Sequence, residues 1–298
     1  MSKASLILDI LIRRSNFVSQ LNSADREYYL KKINDAVLAH SPIEFLLPAF
    51  PAKSANREKT LGHLPDLGEV EALKNLERTN REIQEIYTPG AKIKICSDGR
   101  VFSDLVCLTE QNVTDYQDSL ARIKEEFELS SIEFFNLEDA FEQEISFQSM
   151  RDILVEKCGE PIETIREKVL SDKSYNNMFN GIHRFLKEDY LVIYSEFSKN
   201  KINKISKTRA YQVIQRSNAW SRYVEQANPS AFRLSIHPQL PGSYKFPVKL
   251  MNSDENWATP WHRSPVLEKG VVVLKRHKDI LSSGLRLNQQ MGYAFYGM

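Results

Sequence analysis

Apolar residues recur along the chain at two periods, and the order of the periods sketches an architecture. Leu6, Ile10 and Leu11, then Tyr29, Ile33 and Val37, fall at helical spacing and predict two amphipathic helices within the first 40 residues. Ile43–Leu47 is a short apolar run closed by Pro48 and reads as a buried strand; residues 48–56, dense in breakers and polar side chains, read as a loop. Beyond Asp66, Leu67, Val70, Leu73, Leu76, Ile83 and Ile86 form a further helical stripe. Ala91–Cys96 reads as a strand ending in the turn signature Ser97-Asp98-Gly99-Arg100. Val113, Tyr116, Leu120, Ile123 and Phe127 predict another helix, and Ile132–Phe135 another strand. This alternation predicts βαβ units and a mainly parallel sheet. Residues 138–228 read as mostly helical, and strands return at 232–237, 246–251 and 271–274. The expected fold class is α/β: a sheet core, a helical middle and a β-rich C-terminal portion packed back on the core.

Composition narrows the classes of function. The chain has 298 residues, 42% hydrophobic and 27% charged, an ordinary globular balance. Forty Lys and Arg against 39 Asp and Glu leave a formal charge of +1, so no global field recruits nucleic acid or an anionic membrane, and neither is an expected partner. The apolar stretch over 4–12 is broken by Asp9, falls short of the roughly 20 residues of a bilayer span, and lacks a cleavage site after it. A cytoplasmic location is the expectation. Eleven glycines, about 4% against a usual ~7%, and the absence of G-x-G-x-x-G and G-x-x-x-x-G-K-[ST] remove the warrant for nucleotide-binding folds. Cys96, Cys107 and Cys158 form no C-x-x-C and read as reduced thiols. Neither H-E-x-x-H nor G-x-S-x-G occurs, and His277-Lys278-Asp279 has no later histidine to complete a facial triad, so no metal is expected. The basic-aromatic stretch over 199–209 reads as solvated helix or loop faces rather than an RNA surface.

Four stretches carry candidate chemistry, each with a plain structural alternative. Lys53, Ser54, Asn56 and Lys59 lie in the loop after the first strand, where parallel sheets collect ligands, and suit an anion; a solvated loop is the alternative. Asp66 and Glu69 are accounted for as a helix cap and a charge favouring the helix dipole. Asp98 and Asp104 bracket Arg100 at the end of a predicted strand, which reads equally as a site for an anion and an ammonium or as a turn with an internal ion pair. Arg233, Ser235 and His237 share one face of a strand by period two and would line a pocket for a phosphorylated substrate, or simply face water. Thr259-Pro260-Trp261-His262 places an aromatic ring beside an imidazole.

Taken together, Leu47-Pro48-Ala49-Phe50-Pro51-Ala52-Lys53-Ser54, Leu61-Gly62-His63-Leu64-Pro65-Asp66, Pro89-Gly90-Ala91-Lys92, Ser97-Asp98-Gly99-Arg100-Val101-Phe102-Ser103-Asp104, Arg216-Ser217, Arg233-Leu234-Ser235-Ile236-His237-Pro238 and Thr259-Pro260-Trp261-His262 resemble the pyoverdine/dityrosine biosynthesis family. The motifs run in the family's order from about residue 42 to 275, outside the N-terminal 40 residues and the tail. The resemblance implies a Rossmann-like α/β fold without a dinucleotide fingerprint, organised as a helical N-terminal segment over 1–40 and an isocyanide synthase-like catalytic domain over 41–298, with room for a lobe boundary near 190–228. It implies a lyase-like isonitrile synthase that joins L-tyrosine or L-tryptophan to ribulose 5-phosphate, whose C2 becomes the isonitrile carbon, with no cofactor. A pathway partner would be an iron-dependent oxygenase acting on the product.

Laid against that chemistry, Lys53, Arg100 and Arg233 are expected to bind the phosphate and the amino-acid carboxylate, with Ser54 and Ser235 beside them. Asp98 and Asp104 would position the ammonium or shuttle protons, His237 and His262 would form an acid/base pair, and Trp261 would wall the aromatic pocket. A Schiff base on Lys53 stays open, as do tyrosine against tryptophan, a formylated product of the dityrosine type, a non-catalytic phosphosugar-binding module, and the oligomeric state, since the amphipathic N-terminal helix serves a core or a homo-oligomer contact equally well.

Overall fold

The computed structural model describes residues 2–15, 17, 21–239, 242–251 and 258–298. Two helices open the chain, α1 (Lys3–Arg13) and α2 (Ser23–Leu38), each started by a side-chain cap: Ser2 Oγ accepts the Ser5 N–H and Asn22 Oδ1 that of Asp25. They are followed by β1 (Ile43–Leu47), α3 (Leu67–Gln84), β2 (Ala91–Cys96), the single turn α4 (Gly99–Phe102), α5 (Glu110–Glu126) and β3 (Ile132–Phe135). A helical excursion comes next: α6 (Phe147–Cys158), α7 (Ile162–Ser171), α8 (Lys173–Ile193) and α9 (Lys199–Ala227). The chain then returns through β4 (Phe232–Ser235) and β5 (Phe246–Pro247) and closes with β6 (Ser264–Glu268), β7 (Val271–Lys275), α10 (His277–Leu281), β8 (Arg286–Gln290) and β9 (Tyr293–Gly297).

The first five strands form one all-parallel sheet in the order β3-β2-β1-β4-β5. Both faces are covered, so the strands read as near-continuous apolar runs. Ile43, Phe45 and Leu47 of β1 join Ile93, Ile95, Phe232 and Leu234 on one face, packed against α1, α2, α3 and α5 through Ile7, Leu8, Ile33, Val70, Leu73, Tyr116 and Leu120. The first 40 residues therefore contribute to the same core as the sheet. Leu46 and Cys96 point the other way, to Leu154 of α6 and Trp220 and Val224 of α9.

The excursion α7–α9 builds a further apolar cluster from Ile165, Leu186, Tyr190 and Ile214, closed by Leu105. The region 190–228, where the sequence left room for a lobe boundary, is occupied by the end of α8 and by α9, which runs unbroken for 29 residues and contributes to both clusters. The last strands form a second, mixed sheet, β7-β6-β9-β8, tied to the main core through Leu274 and Phe295. Among the described residues no helix is long and apolar enough to cross a membrane.

The sequence reading of 246–251 as a strand is corrected to Phe246–Pro247, with Val248 bridging Ser15, and that of 232–237 to Phe232–Ser235. The C-terminal sheet was legible only in β7. Its hairpins turn through Lys269-Gly270 and Met291-Gly292, all four residues at positive φ (50°, 79°, 51° and 82°). This is the backbone a two-residue hairpin demands, without the Asn or Asp that usually advertises it.

Order 3-2-1-4-5 places the topological switch between β1 and β4, which leave the sheet toward opposite sides; ligands of open parallel sheets settle in the crevice at such a point. The loops after β1 and β2 are packed there without slack. A Cβ on Gly99 would stand 1.7 Å from the Pro51 carbonyl oxygen, and Ser97 Oγ donates to the Phe50 carbonyl at 3.0 Å. Gly99→Ala must force the loops apart and is expected to cost about 2–3 kcal/mol in urea unfolding. Gly181→Ala in α8, where a Cβ meets nothing within 4 Å, should stabilise by about 0.5–1 kcal/mol in the same assay.

Candidate active site

The loop after β1 enters the crevice on a strained residue. Phe50 has φ 57° although its ring is fully buried, 5.1 Å from that of Trp261. A left-handed aromatic residue costs about 1–3 kcal/mol and persists only where its surroundings hold it. Here the ring anchors in the core while the carbonyl is held by Ser97.

Lys53, next in this loop, is 1% exposed. Its Nζ lies 2.7 Å from Asp66 Oδ2, 2.8 Å from Glu69 Oε2 and 2.9 Å from the Pro260 carbonyl oxygen. Three acceptors take up three ammonium hydrogens, so the expected anion-binding face of Lys53 is already occupied by the protein. Burial alone would lower the Lys53 pKa, but the charges and hydrogen bonds of the two carboxylates outweigh it and raise it. Burial pushes the Asp66 carboxyl well above its ordinary value, Lys53 opposing and Glu69 reinforcing the rise. Asp66 does cap α3, as the sequence suggested, and Glu69, read there only as favouring the helix dipole, completes a capping box with it, with the Gly68 N–H on Asp66 and the Asp66 N–H on Glu69. They hold Lys53 at the same time. Glu69 also accepts the Tyr116 hydroxyl at 3.1 Å.

Further along the loop, Lys59 Nζ is 2.6 Å from Asp189 Oδ1 of α8 and 4.6 Å from the centre of the Phe185 ring. Asp189, 3% exposed, also accepts from Asn56 Nδ2 at 2.9 Å and from Ser54 Oγ at 3.4 Å. Its pKa is raised by burial and lowered again by Lys59 and its other donors, burial winning. Sequence reasoning missed Asp189 because nothing within α8 marks it; its partners lie more than 100 residues away. The Phe185 ring stands 4.8 Å from that of His262.

At the end of β2, Asp98 caps nothing: it precedes α4 without a side-chain cap bond, and its Oδ1 is buried with no hydrogen-bond partner among the described residues. Burial drives its pKa up to about 7, against a weaker pull down from its own backbone and from the charge of Arg233. Arg233 on β4 donates Nε to Glu225 at 3.0 Å, Nη2 to Ser221 at 3.3 Å and Nη1 to the Leu234 carbonyl. Beside it, one residue before the Leu234–Phe246 register pair, Lys245 is half-buried, and its pKa is lowered by burial and then by Arg233. Ser235 Oγ accepts the His237 N–H at 3.2 Å and Gln239 Nε2 at 2.9 Å, which shapes the chain as it leaves β4.

His237 is exposed at the mouth of the crevice, so water offsets part of the effect of the crowded walls that draw its pKa down to about 4; the imidazole is neutral at pH 7. His262, half-buried in the turn Pro260–His262, is pushed well below 6.5 by burial and then by the charges of Lys59, Arg263, His237 and Lys53. Its Nδ1 lies 3.3 Å from Thr259 Oγ1. The structure thus gathers Asp98, Arg233, Ser235, His237, His262 and the 53–59 loop around the switch point.

Arg100 and Asp104 lie elsewhere, and Trp261 sits in the His262 turn with its ring turned into the core. Arg100, 3% exposed, donates to Glu138 at 3.0 Å, to the Glu110 carboxylate at 2.9 Å and to Thr114 at 2.5 Å, with Phe147 stacked at 3.8 Å. Asp104 accepts from Arg216 at 2.6 Å and faces Arg151 at 3.6 Å. Both belong to an arginine–carboxylate network at the α4–α5 corner, but not as the pair within the turn that the spacing offered: Arg100 is held by Glu110 and Glu138, and Asp104 by Arg216 and Arg151. Trp261 is core, 2% exposed, rather than a free wall.

Residues 33–287 match the model of the pyoverdine/dityrosine biosynthesis protein family. The chain is 46% identical over 268 residues to the L-tryptophan isonitrile synthase AmbI2 of Fischerella ambigua, covering 90% of this chain and 81% of that one. It is 39% identical over 300 residues to an L-tyrosine isonitrile synthase of Pseudomonas aeruginosa, covering 97% and 92%. The crystal structure of the PvcA protein from Pseudomonas aeruginosa superposes with a TM-score of 0.92 over the whole of both chains at 37% identity. A match of this extent in sequence and fold makes the chain a member of the pyoverdine/dityrosine biosynthesis family.

Proposed function

We propose that this protein converts the amino group of L-tryptophan into an isonitrile, with ribulose 5-phosphate as carbon donor. The choice of tryptophan over tyrosine rests on the two tryptophan enzymes to which the chain is 46% and 44% identical, against 39% and 37% for two tyrosine enzymes. The observation that carries the chemistry is the trio Asp98, His237 and His262. Two imidazoles neutral at pH 7 and a carboxyl titrating near 7 stand at the strand ends about the switch point and the turn beside it, the combination an amine–ketone condensation needs.

The substrate ammonium must lose a proton before nitrogen can attack the C2 ketone of the sugar, and a neutral imidazole can accept it. The carbinolamine then expels water, which Asp98 in its protonated form assists, leaving an imine. The imine draws electrons from the sugar, so phosphate can depart and carbon–carbon bonds can break. Lys59, held over Phe185 by Asp189, and Arg233 offer positive charge to the phosphate and the amino-acid carboxylate. Arg100, Asp104 and Trp261 act in this reading by shaping the site from behind.

Mass spectrometry of the protein incubated with ribulose 5-phosphate and L-tryptophan should show a product that has gained one carbon and lost the two amine hydrogens, with less from L-tyrosine. A formyl gain, once isonitrile hydrolysis is excluded, or no product would overturn the reading.

Asp98 yields two expectations. As the acid, it makes kcat fall as pH rises through about 7, and Asp98→Asn should lower kcat by about 10²-fold or more and abolish that limb. Its carboxyl is protonated in both states below about pH 4, only in the folded state between 4 and 7, and in neither above. The rise from 3.8 to about 7 therefore opposes folding increasingly up to pH 7, by at most about 4 kcal/mol. Asp98→Asn should raise the melting temperature at pH 8 and leave it nearly unchanged at pH 4, as read by calorimetry.

A further inference from the structure

Two consecutive residues of the loop after β1 grip two consecutive carbonyls of the turn that carries His262. Lys53 Nζ donates to the Pro260 oxygen at 2.9 Å, and the Ser54 N–H donates to the Trp261 oxygen at 2.9 Å. The His262 N–H closes the turn on the Thr259 oxygen at 3.0 Å. Asp66 and Glu69 at the head of α3 take up the other two ammonium hydrogens. We infer that Lys53 is a positioning residue: it anchors the Pro260–Trp261–His262 turn to α3 and so sets where the His262 imidazole stands in the crevice, without itself touching either substrate. The inference rests on the reading of His262 as a proton-handling group.

Each alternative for Lys53 meets a physical obstacle. A phosphate ligand must turn donors toward the crevice, and the three it has are directed at Asp66, Glu69 and Pro260. A Schiff-base lysine must reach the neutral amine, whereas its two carboxylate partners favour the ammonium. An anchor needs a stiff, saturated cation with no access to solvent, and that is what the site contains. The pairing of side chain and backbone also fixes direction. Rotation of the turn about one carbonyl contact is blocked by the other, and the Trp261 ring, packed on Phe50, forms a third point.

The test uses the full chain with Lys53→Met together with Glu69→Gln. Methionine matches the lysine stem, and the amide replaces one of the two carboxylates that would lose their cation; the other, Asp66, is already pushed by burial toward its neutral form, which loss of Lys53 favours further. Amide exchange followed by mass spectrometry should quicken at least about tenfold over residues 259–263 while α3 stays protected. Turnover should fall at least about tenfold, with KM for ribulose 5-phosphate within about twofold of wild type. Glu69→Gln alone keeps the ammonium and its bond to Pro260 and should lose less. A raised sugar KM with turnover retained would make Lys53 an anion ligand, borohydride trapping of the sugar on wild-type Lys53 would make it the covalent residue, and unchanged exchange over 259–263 or unchanged turnover would remove the anchor. Each of these overturns the inference. If the wild type itself forms no isonitrile, the proposed function fails, while the exchange measurement still reads the anchor.

Discussion

An ammonium group sealed from water must find an acceptor for each of its hydrogens or give up its charge. At Lys53 that requirement gathers three separate parts of the chain: the loop leaving β1, the first turn of α3 and the turn before β6. Burying two carboxylates and one ammonium is costly for stability and becomes tolerable only because the three charges and one carbonyl satisfy one another. What the arrangement secures is a single geometry. The capping box of α3 and the ion cluster share the same two carboxylates, so the helix cannot shift along its axis without disturbing the turn that carries His262.

The rest of the site follows from where parallel strands end. Side chains there leave the sheet beside α8, which brings Asp189 and Phe185, and the turn that carries His262, and most of them are withdrawn from solvent. Such surroundings penalise whichever form of a group carries charge. The penalty makes Asp98 hold its proton to near neutral pH and makes His237 and His262 release theirs. Acid and bases are thus placed on opposite sides of neutrality by one cause acting on groups of opposite charge type. Arg233 stays a cation in the same place through its high intrinsic basicity and its partner Glu225, although burial draws its pKa down.

Much of the fold was legible because periodicity records burial. The strands β1, β2 and β3 and the helices α3 and α5 stand where their apolar spacing put them. The hairpins of the C-terminal sheet were hidden: β8 is exposed at all five positions and has no apolar alternation to read, and the turns use Lys-Gly and Met-Gly. In the candidate site, the strand-end motifs lie beside the switch point of the parallel sheet, whereas the roles of single residues depend on partners that sequence does not display. Asp98, whose buried Oδ1 has no partner among the described residues, and Arg100, which has four partners, stand only two and four positions beyond the same strand. Asp66 and Glu69 obeyed a sufficient local explanation, and sufficiency concealed the second use of both carboxylates. Asp189 carried no signal because a helix interior gives no hint of a loop arriving from 130 residues upstream.

The pairing of β1 with β4, Phe45 beside Phe232, has a temporal meaning. The central strand of the sheet waits for its neighbour through the synthesis of α3 to α9, and the Lys53 ammonium waits longer still for the Pro260 carbonyl. Contacts so distant along the chain form slowly and late, after the local helices have had time to appear. Until then a nascent chain exposes one edge of β1 and a cation facing two carboxylates with one ligand missing. The crevice is therefore among the last features to exist on the ribosome, and a chain halted before residue 260 has most of its helices and no active site.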